Sequence, residues 1–304
     1  MVGLPVLLVM LSPSTSRAQA WVPEEGQASI SIAYAYGEAE YTLFSGDFIL
    51  SGVNYGKKKD GAGVQSHSAY VGLDYGISSK VALSANIPAI VSRYTGSAPH
   101  SPILPDGTTL DDGVYRGGFQ DFRFGARYMA IVNPLVVTPF ISVVIPSRDY
   151  PTEGHSVIGK GFKEIHLGLY LGKLLTFVSN NLYTQAGYDF AYVEEVDGMR
   201  VNRSDFDLTL GYFVTPSITV GGTMAYLKSY GGIDFLDAHP GNVEVHLHDR
   251  HAAANYLNLG GSVSVEVNDA LNFFVSYTGI VSGENTHALR SVALGTTWTF
   301  QALE

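Results

Sequence analysis

The chain of 304 residues contains no cysteine, and only 15% of its residues are charged. The absence of cysteine excludes disulfide scaffolds and thiolate metal sites. The net charge of −10, with 28 acidic and 18 basic residues, excludes a nucleic-acid partner, which needs a basic footprint. A P-loop, a glycine-rich dinucleotide fingerprint and an HExxH motif are also missing from the sequence. We therefore expect no cofactor.

Long apolar runs are also missing, except at the N-terminus. No later stretch reaches the roughly 18 residues of a transmembrane helix, which excludes a helical membrane protein. The apolar run Val2–Leu11 and the small residues of Ala18-Gln19-Ala20 are typical of a secretory leader. We therefore predict that residues 1–20 are a cleaved signal peptide and that the mature chain begins at Trp21. A buried N-terminal helix is the alternative, which Pro5 and Pro13 disfavour.

After the leader, apolar and polar residues alternate with a period of two, which indicates strands with two different faces. Ile165, Leu167 and Leu169, for example, alternate with Glu164, His166 and Gly168. Most segments have the roughly 9–11 residues that a tilted strand needs to cross a bilayer. The twelve predicted strands are 27–36, 66–76, 80–94, 118–131, 135–147, 163–173, 178–192, 203–213, 217–228, 254–266, 270–281 and 289–300.

The connections between these segments alternate between short and long. The short ones are 76–80, 132–134, 173–177, 213–216 and 267–269, and the long ones are 37–65, 95–117, 148–162, 193–202, 229–253 and 282–288. Outer-membrane barrels alternate short periplasmic turns with long extracellular loops in this way. The fold class is therefore predicted as all-β, a transmembrane antiparallel up-and-down β-barrel of about 12 strands that comprises residues 21–304.

Aromatic residues recur near both ends of these strands, as in the two interfacial girdles of membrane proteins. One girdle is predicted from Tyr75, Tyr128, Tyr212, Trp298 and Phe300, and the other from Tyr36, Tyr94, Phe122, Phe190, Tyr192, Tyr226 and Tyr277. A soluble β-sandwich is the alternative. It would need neither a signal peptide nor a charged second face on nearly every strand.

The polar face of the strands is predicted to line the lumen. Two interpretations stay open: the charges pair across the lumen and plug it, or they line a narrow path and set its selectivity. The excess of acidic over basic residues disfavours anionic solutes in either case. The predicted pore-lining residues are Asp74, Asp121, Arg123, Arg127, Glu164, His166, Tyr170, Gln185, Asp189, Asp205 and Asp207.

Other chemistry is only weakly indicated. His246 and His248 would share a face of a hairpin and, with His251, are weak candidates for Zn or Cu ligands; a polar surface loop is the alternative. Ser66-His67-Ser68 and His155-Ser156 carry the residue types of a hydrolase. Sequence neighbours in a strand point to opposite faces, so we predict no enzymatic activity.

Several ordered motifs resemble the outer-membrane family named after the meta-pathway of phenol degradation. The final strand also resembles the signal read by the barrel-assembly machinery, since it ends in Trp298 and Phe300, although Gln301–Glu304 follow. The family motifs are Trp21, Tyr75-Gly76-Ile77-Ser78, Asn86-Ile87-Pro88, Gly118-Phe119-Gln120-Asp121, Gly125-Ala126-Arg127-Tyr128, Ile145-Pro146-Ser147-Arg148-Asp149-Tyr150 with Arg148 in place of a glycine, Gly168 to Lys173, and Gly187-Tyr188.

This resemblance implies a place in the outer membrane of a Gram-negative bacterium and uptake of small organic, often aromatic, molecules. The expected partners are that solute, outer-membrane lipid, lipopolysaccharide and the assembly machinery. The alternative function is a closed barrel that acts as a structural or interaction protein through its long loops.

Overall fold

The computed structural model describes residues 19–43, 47–48, 63–96, 111–234 and 244–302. It contains twelve long antiparallel strands, four short strands and one helix, numbered here in chain order. The elements are β1 (Gln27–Ala39), β2 (Thr42–Leu43), β3 (Asp47–Phe48), β4 (Val64–Ser78), β5 (Val81–Tyr94), β6 (Arg116–Phe119), β7 (Phe122–Tyr128), β8 (Val136–Ile145), β9 (Glu164–Leu174), β10 (Leu182–Val193), β11 (Asn202–Thr215), β12 (Ile218–Tyr230), α1 (Glu244–His251), β13 (Asn255–Asn268), β14 (Leu271–Glu284), β15 (Thr286–His287) and β16 (Arg290–Gln301).

The long strands close into a barrel, which confirms the predicted fold class. Each pairs with its sequence neighbours, and β1 pairs with both β4 and β16. The register between the first and last strands runs from Gln27↔Gln301 to Glu38↔Arg290. Closure gives every long strand a partner on both sides, so no sheet edge along the barrel is left without hydrogen bonds.

The alternation in sequence separates the two faces of the wall. On β9, Ile165 and Leu167 are 48% and 59% exposed on the outside, whereas Glu164 and His166 are buried inside. Trp298 of β16 is likewise 52% exposed and packs against Phe300 with ring centroids 4.7 Å apart. The barrel therefore has an apolar outer surface and a polar interior.

One wall segment departs from the predicted strand 118–131, which is divided into β6 and β7. Pro88 of β5 lies opposite the division and has no N–H for the ladder. Its carbonyl instead accepts a hydrogen bond from the Gln120 backbone at 2.9 Å. Gln120 and Asp121 are buried there, so the interruption turns two polar side chains inward.

The connections define two ends of the barrel, which we call the turn end and the loop end. At the turn end, tight turns join β4 to β5, β11 to β12 and β13 to β14. The turn predicted at 173–177 lies instead at residues 175–181, because Val178 and Ser179 donate backbone hydrogen bonds to the Leu175 carbonyl. The loop end carries α1, which was predicted as part of a loop.

The α-helical content of the described residues is limited to the eight-residue α1. No helix in this part of the chain is long and apolar enough to cross a membrane.

Barrel closure predicts a specific cross-link between the first and last strands. Ser31 Oγ and Thr297 Oγ1 lie 2.9 Å apart across the β1–β16 pair. Because the chain lacks cysteine, the double variant Ser31→Cys, Thr297→Cys contains the only two thiols. The two side chains are close enough for a disulfide, so mild oxidation should link them. The linked chain should then migrate differently from the unlinked chain on a denaturing gel.

The matched control is Ile32→Cys, Thr297→Cys, because Ile32 points outward while Thr297 points inward. This control should stay unlinked. Equal cross-linking of both variants would contradict the register.

Candidate functional site

Described residues of the inner face line at least three cavities. The loop-side cavity has a volume of about 340 Å³ and reaches from Lys160 to Thr223. The turn-side cavity has a volume of about 440 Å³ and opens between Trp21 and Asp269. A side cavity of about 150 Å³ lies between them, next to Tyr70.

All eleven predicted pore-lining residues contact these cavities, so they share the inner face of the barrel. Asp121, Arg123, Glu164, His166, Tyr170, Gln185, Asp189, Asp205 and Asp207 line the loop-side cavity, and Asp74 and Arg127 line the turn-side cavity.

A network of ion pairs crosses the inner face at the loop-side cavity. Arg123 Nη2 lies 2.6 Å from His166 Nδ1 and 3.3 Å from Asp189 Oδ2. His166 Nε2 lies 2.9 Å from Glu164 Oε2, and the same oxygen accepts from Arg203 Nη2 at 2.5 Å. These contacts link charged side chains of β7, β9, β10 and β11, which are a third of the twelve long strands.

The strand register explains why acidic groups accumulate at this network. Asp189 of β10 lies directly opposite Asp205 of β11, and both side chains face inward. Like charges in this position repel each other. The guanidinium groups of Arg123 and Arg203 offset that repulsion, which is why the network needs both.

Closer to the turn end, Arg127 binds Asp74 through two hydrogen bonds of 2.8 Å and 2.5 Å. Strand β5 separates the two residues and places Ala82 and Ser84 beside them. These small side chains leave room for the pair to meet across a whole strand. Between the two charged layers, Phe140 and Tyr170 stack with ring centroids 4.4 Å apart.

Two basic lumen residues were not predicted. Arg203 shares the inward face of β11 with Asp205 and Asp207, and the same alternation would have identified it. Lys160 lines the loop-side cavity but belongs to the loop between β8 and β9, where no periodic pattern applies.

The loop between β8 and β9, residues 146–163, folds inward over the loop end, and we call it the roof. The Asp111 carboxylate accepts backbone hydrogen bonds from His155 at 3.0 Å and from Ser156 at 3.1 Å. His155 is fully buried and packs against Tyr94 with ring centroids 5.1 Å apart. Tyr94 therefore packs against the roof. Its predicted place in the aromatic girdle with Tyr36 and Tyr277 is wrong, because even-numbered residues of β5 face inward.

Helix α1 supports the roof from the other side. Arg250 donates to the carbonyls of Lys160 at 3.0 Å and Gly161 at 3.2 Å. Tyr150 donates to Asp121 Oδ1 at 2.5 Å. The loop is therefore attached both to α1 and to the interruption in the wall.

Burial and neighbouring charges shift several pKa values in the roof. Desolvation and the Arg203 guanidinium lower the pKa of Lys160 to about 7, against the opposing effect of Glu164. Burial and the Asp111 carboxylate raise the pKa of Asp249 well above its usual range. By contrast, the Arg116 guanidinium lowers the pKa of Asp112 to about 2 through a hydrogen bond.

Of the three candidate metal ligands, only His251 has a side chain among the described residues. The segment that contains His246 and His248 is helix α1, so the predicted hairpin is wrong, and both side chains lie outside the described residues. His251 is buried against Phe162, with Nε2 3.2 Å from Asp197 Oδ2, and burial lowers its pKa.

A second group of metal-type ligands, His166, Asp189 and Asp205, has ligand atoms within 4.8 Å of one another. The Arg123 guanidinium lies 2.6 Å from His166 Nδ1 and supplies positive charge at that position. This donor set therefore fits an ion network better than a metal site.

The candidate hydrolase residues also separate. Ser66 and Ser68 are buried, whereas His67 points outward and contacts Tyr34 Oη at 2.6 Å and Tyr115 Oη at 3.2 Å. Ser156 Oγ donates to Asp111. In the first group, the two serines and the histidine therefore lie on opposite faces of β4.

Comparison with known proteins identifies the fold. No protein-family model matches the chain, and no curated protein matches it. Among solved structures, the COG4313 outer membrane channel from Pseudomonas putida F1 superposes with a TM-score of 0.65 at 12% identity, covering 93% of this chain and 98% of that one. The translocator domain of the autotransporter NalP from Neisseria meningitidis superposes with a TM-score of 0.50 at 11% identity, covering 91% and 90%. At these identities the likeness establishes an outer-membrane β-barrel fold.

The ion network predicts a large difference between two neutralising substitutions. Glu164→Gln leaves Arg203, whose side chain is only 13% exposed, without this carboxylate, so the free energy of unfolding should fall by roughly 3 kcal/mol. Asp112→Asn removes a partly exposed pair with Arg116, so the fall should be at most about 1 kcal/mol. Urea unfolding of both variants in lipid vesicles measures the difference; equal losses would mean that the lumen network is as hydrated as the surface pair.

Proposed function

We propose that this protein is an outer-membrane channel of a Gram-negative bacterium that admits small neutral or hydrophobic organic molecules by passive diffusion. The observation that carries the proposal is a closed barrel with an apolar outer surface and a charged lumen that contains cavities at both ends. An apolar belt suits lipid contact, and a polar interior suits a path for solutes. The ordered motifs support assignment to the meta-pathway phenol-degradation family.

The turn-side cavity supports an aromatic or hydrophobic solute. Its volume of about 440 Å³ lies in the range of small-molecule sites, which are mostly apolar with a few polar groups that fix orientation. The apolar side chains include Trp21, Leu174, Tyr183 and Phe213, and the more numerous polar ones include Asp74, Arg127 and Asn272.

The charge of the lumen supports selection against anions. Carboxylates outnumber basic groups among the side chains that line the two larger cavities. Charged rings of one sign set the ion preference of pores. On this proposal the other partners are membrane lipid and lipopolysaccharide outside the barrel, and the assembly machinery during biogenesis.

A closed barrel that acts as a surface structural or interaction protein is the second candidate. The observation that favours it is the roof, in which His155 and Phe162 are fully buried over the loop end. The loops that would bind a partner, 37–65, 95–117 and 229–253, lie partly outside the described residues.

The two candidates differ in planar-bilayer conductance and in the uptake of phenolic solutes by liposomes. A channel gives discrete conductance steps and uptake above that of empty liposomes. The charge of Lys160 tests whether the current passes through this lumen. Because its pKa is about 7, Lys160 loses its positive charge as the pH rises through 7. Cation selectivity should therefore rise between pH 6 and pH 8, within about one unit of that pKa.

The variant Lys160→Met should show high cation selectivity at both pH values. The matched control is Lys163→Met, because Lys163 is on the same loop but its side chain is 71% exposed, and it should retain the pH dependence. A silent protein without uptake would reject the channel and leave the closed barrel. Pore currents with an unchanged pH dependence in Lys160→Met would show that the current does not pass Lys160.

A further inference from the structure

The chain enters the barrel through the turn end before β1 begins. Gly26 donates a backbone hydrogen bond to the Gly76 carbonyl at 2.8 Å. Gly76 leaves space for the entering backbone, since a Cβ there would lie 2.1 Å from the Glu24 carbonyl oxygen. The segment Gln19–Glu25 thus runs from the turn end into the lumen.

Inside the lumen, three adjacent strands hold Ala20. Its N–H donates to Gln185 Oε1 of β10 at 2.9 Å, and its carbonyl accepts from Thr138 Oγ1 of β8 at 2.6 Å. Between them, Gly172 of β9 leaves a notch, because a Cβ there would lie 2.7 Å from the Ala20 Cβ and 2.6 Å from the Trp21 ring. Ala20, Thr138 and Gln185 are all buried, so both polar groups of the Ala20 backbone have a buried partner.

This segment separates the two larger cavities. Gln19 lines the loop-side cavity, and Trp21 lines the turn-side cavity. Ala20, between them, is fully buried. The three residues therefore lie between the two cavities.

From these contacts we infer that Gln19 and Ala20 remain in the mature protein as a segment docked on Thr138, Gly172 and Gln185. The signal peptide is then cleaved between Ala18 and Gln19, and not between Ala20 and Trp21. The sequence permits this, because Ser16 and Ala18 place small residues at the two positions that define a cleavage site of the A-x-A type.

The physical reason lies in the contacts that Ala20 makes with Thr138, Gly172 and Gln185, which together we call the cradle. A chain that began at Trp21 would leave the buried Gln185 carbonyl and Thr138 hydroxyl without these partners, and unmade buried hydrogen bonds are unfavourable. It would also leave the Gly172 notch unfilled. These contacts of Ala20 are the same whether or not the lumen passes a solute.

The first test is the intact mass of the protein purified from outer membranes, together with sequencing of its N-terminal peptide. The expected mature chain starts at Gln19, with a further loss of ammonia where the terminal glutamine has cyclised. A start at any residue after Gln19 overturns the inference.

The second test measures docking by thiol labelling and needs no transport activity. Ala20→Cys gives a single thiol in the cradle and should be protected from a soluble maleimide in the folded protein. Glu25→Cys, in the same segment but exposed, is the matched control and should react at the rate of a free thiol. The mass of each variant confirms that its leader is cut at the same bond.

The variant Thr138→Val, combined with Ala20→Cys, removes only the hydroxyl that donates to Ala20. Loss of one hydrogen bond should increase the labelling rate about fivefold. Thr209→Val makes the same exchange elsewhere on the wall of the loop-side cavity and should leave the rate unchanged. Equal labelling of Ala20→Cys and Glu25→Cys, or equal effects of the two threonine substitutions, overturns the docking of this segment.

Discussion

Hydrogen bonding between β1 and β16 is the constraint on which the rest of the structure depends. Without it, the sheet would have two edges whose backbone groups need other partners. With it, every long strand is paired on both sides, and the period of two in the sequence becomes an inside and an outside. The apolar exterior and the charged lumen both follow from that single closure.

Charged side chains on the inner face must then find partners across the lumen wall. Arg123 and Arg203 do so within the acidic network at the loop side, and Arg127 reaches Asp74 over the small residues of β5. A buried ion pair contributes modestly to stability but is costly to break. The networks therefore fix the wall in one arrangement and leave cavities on either side, which is compatible with a narrow path for solutes.

The strands and the inner face could be predicted from sequence because both depend on local alternation. Glu164, His166, Asp189 and Asp205 were assigned to the lumen by that pattern alone. Arg203 obeys the same rule as Asp205 and could have been added.

Features that depend on distant contacts could not be predicted. The division of strand 118–131 depends on Pro88 in the neighbouring strand, and the inward fold of Lys160 depends on Asp111 and Arg250. The site of Ala20 depends on residues more than 100 positions away. No local period encodes any of these contacts.

The two tryptophans test the central claim, that the outer face meets lipid while the lumen does not. Trp298 is on the outer surface and Trp21 lines the turn-side cavity. In vesicles of lipids with brominated acyl chains, Trp21→Phe leaves only Trp298, whose fluorescence should be strongly quenched. Trp298→Phe leaves only Trp21, whose fluorescence should change little. Equal quenching of both, or quenching of Trp21 alone, would contradict a barrel that separates lipid from its lumen.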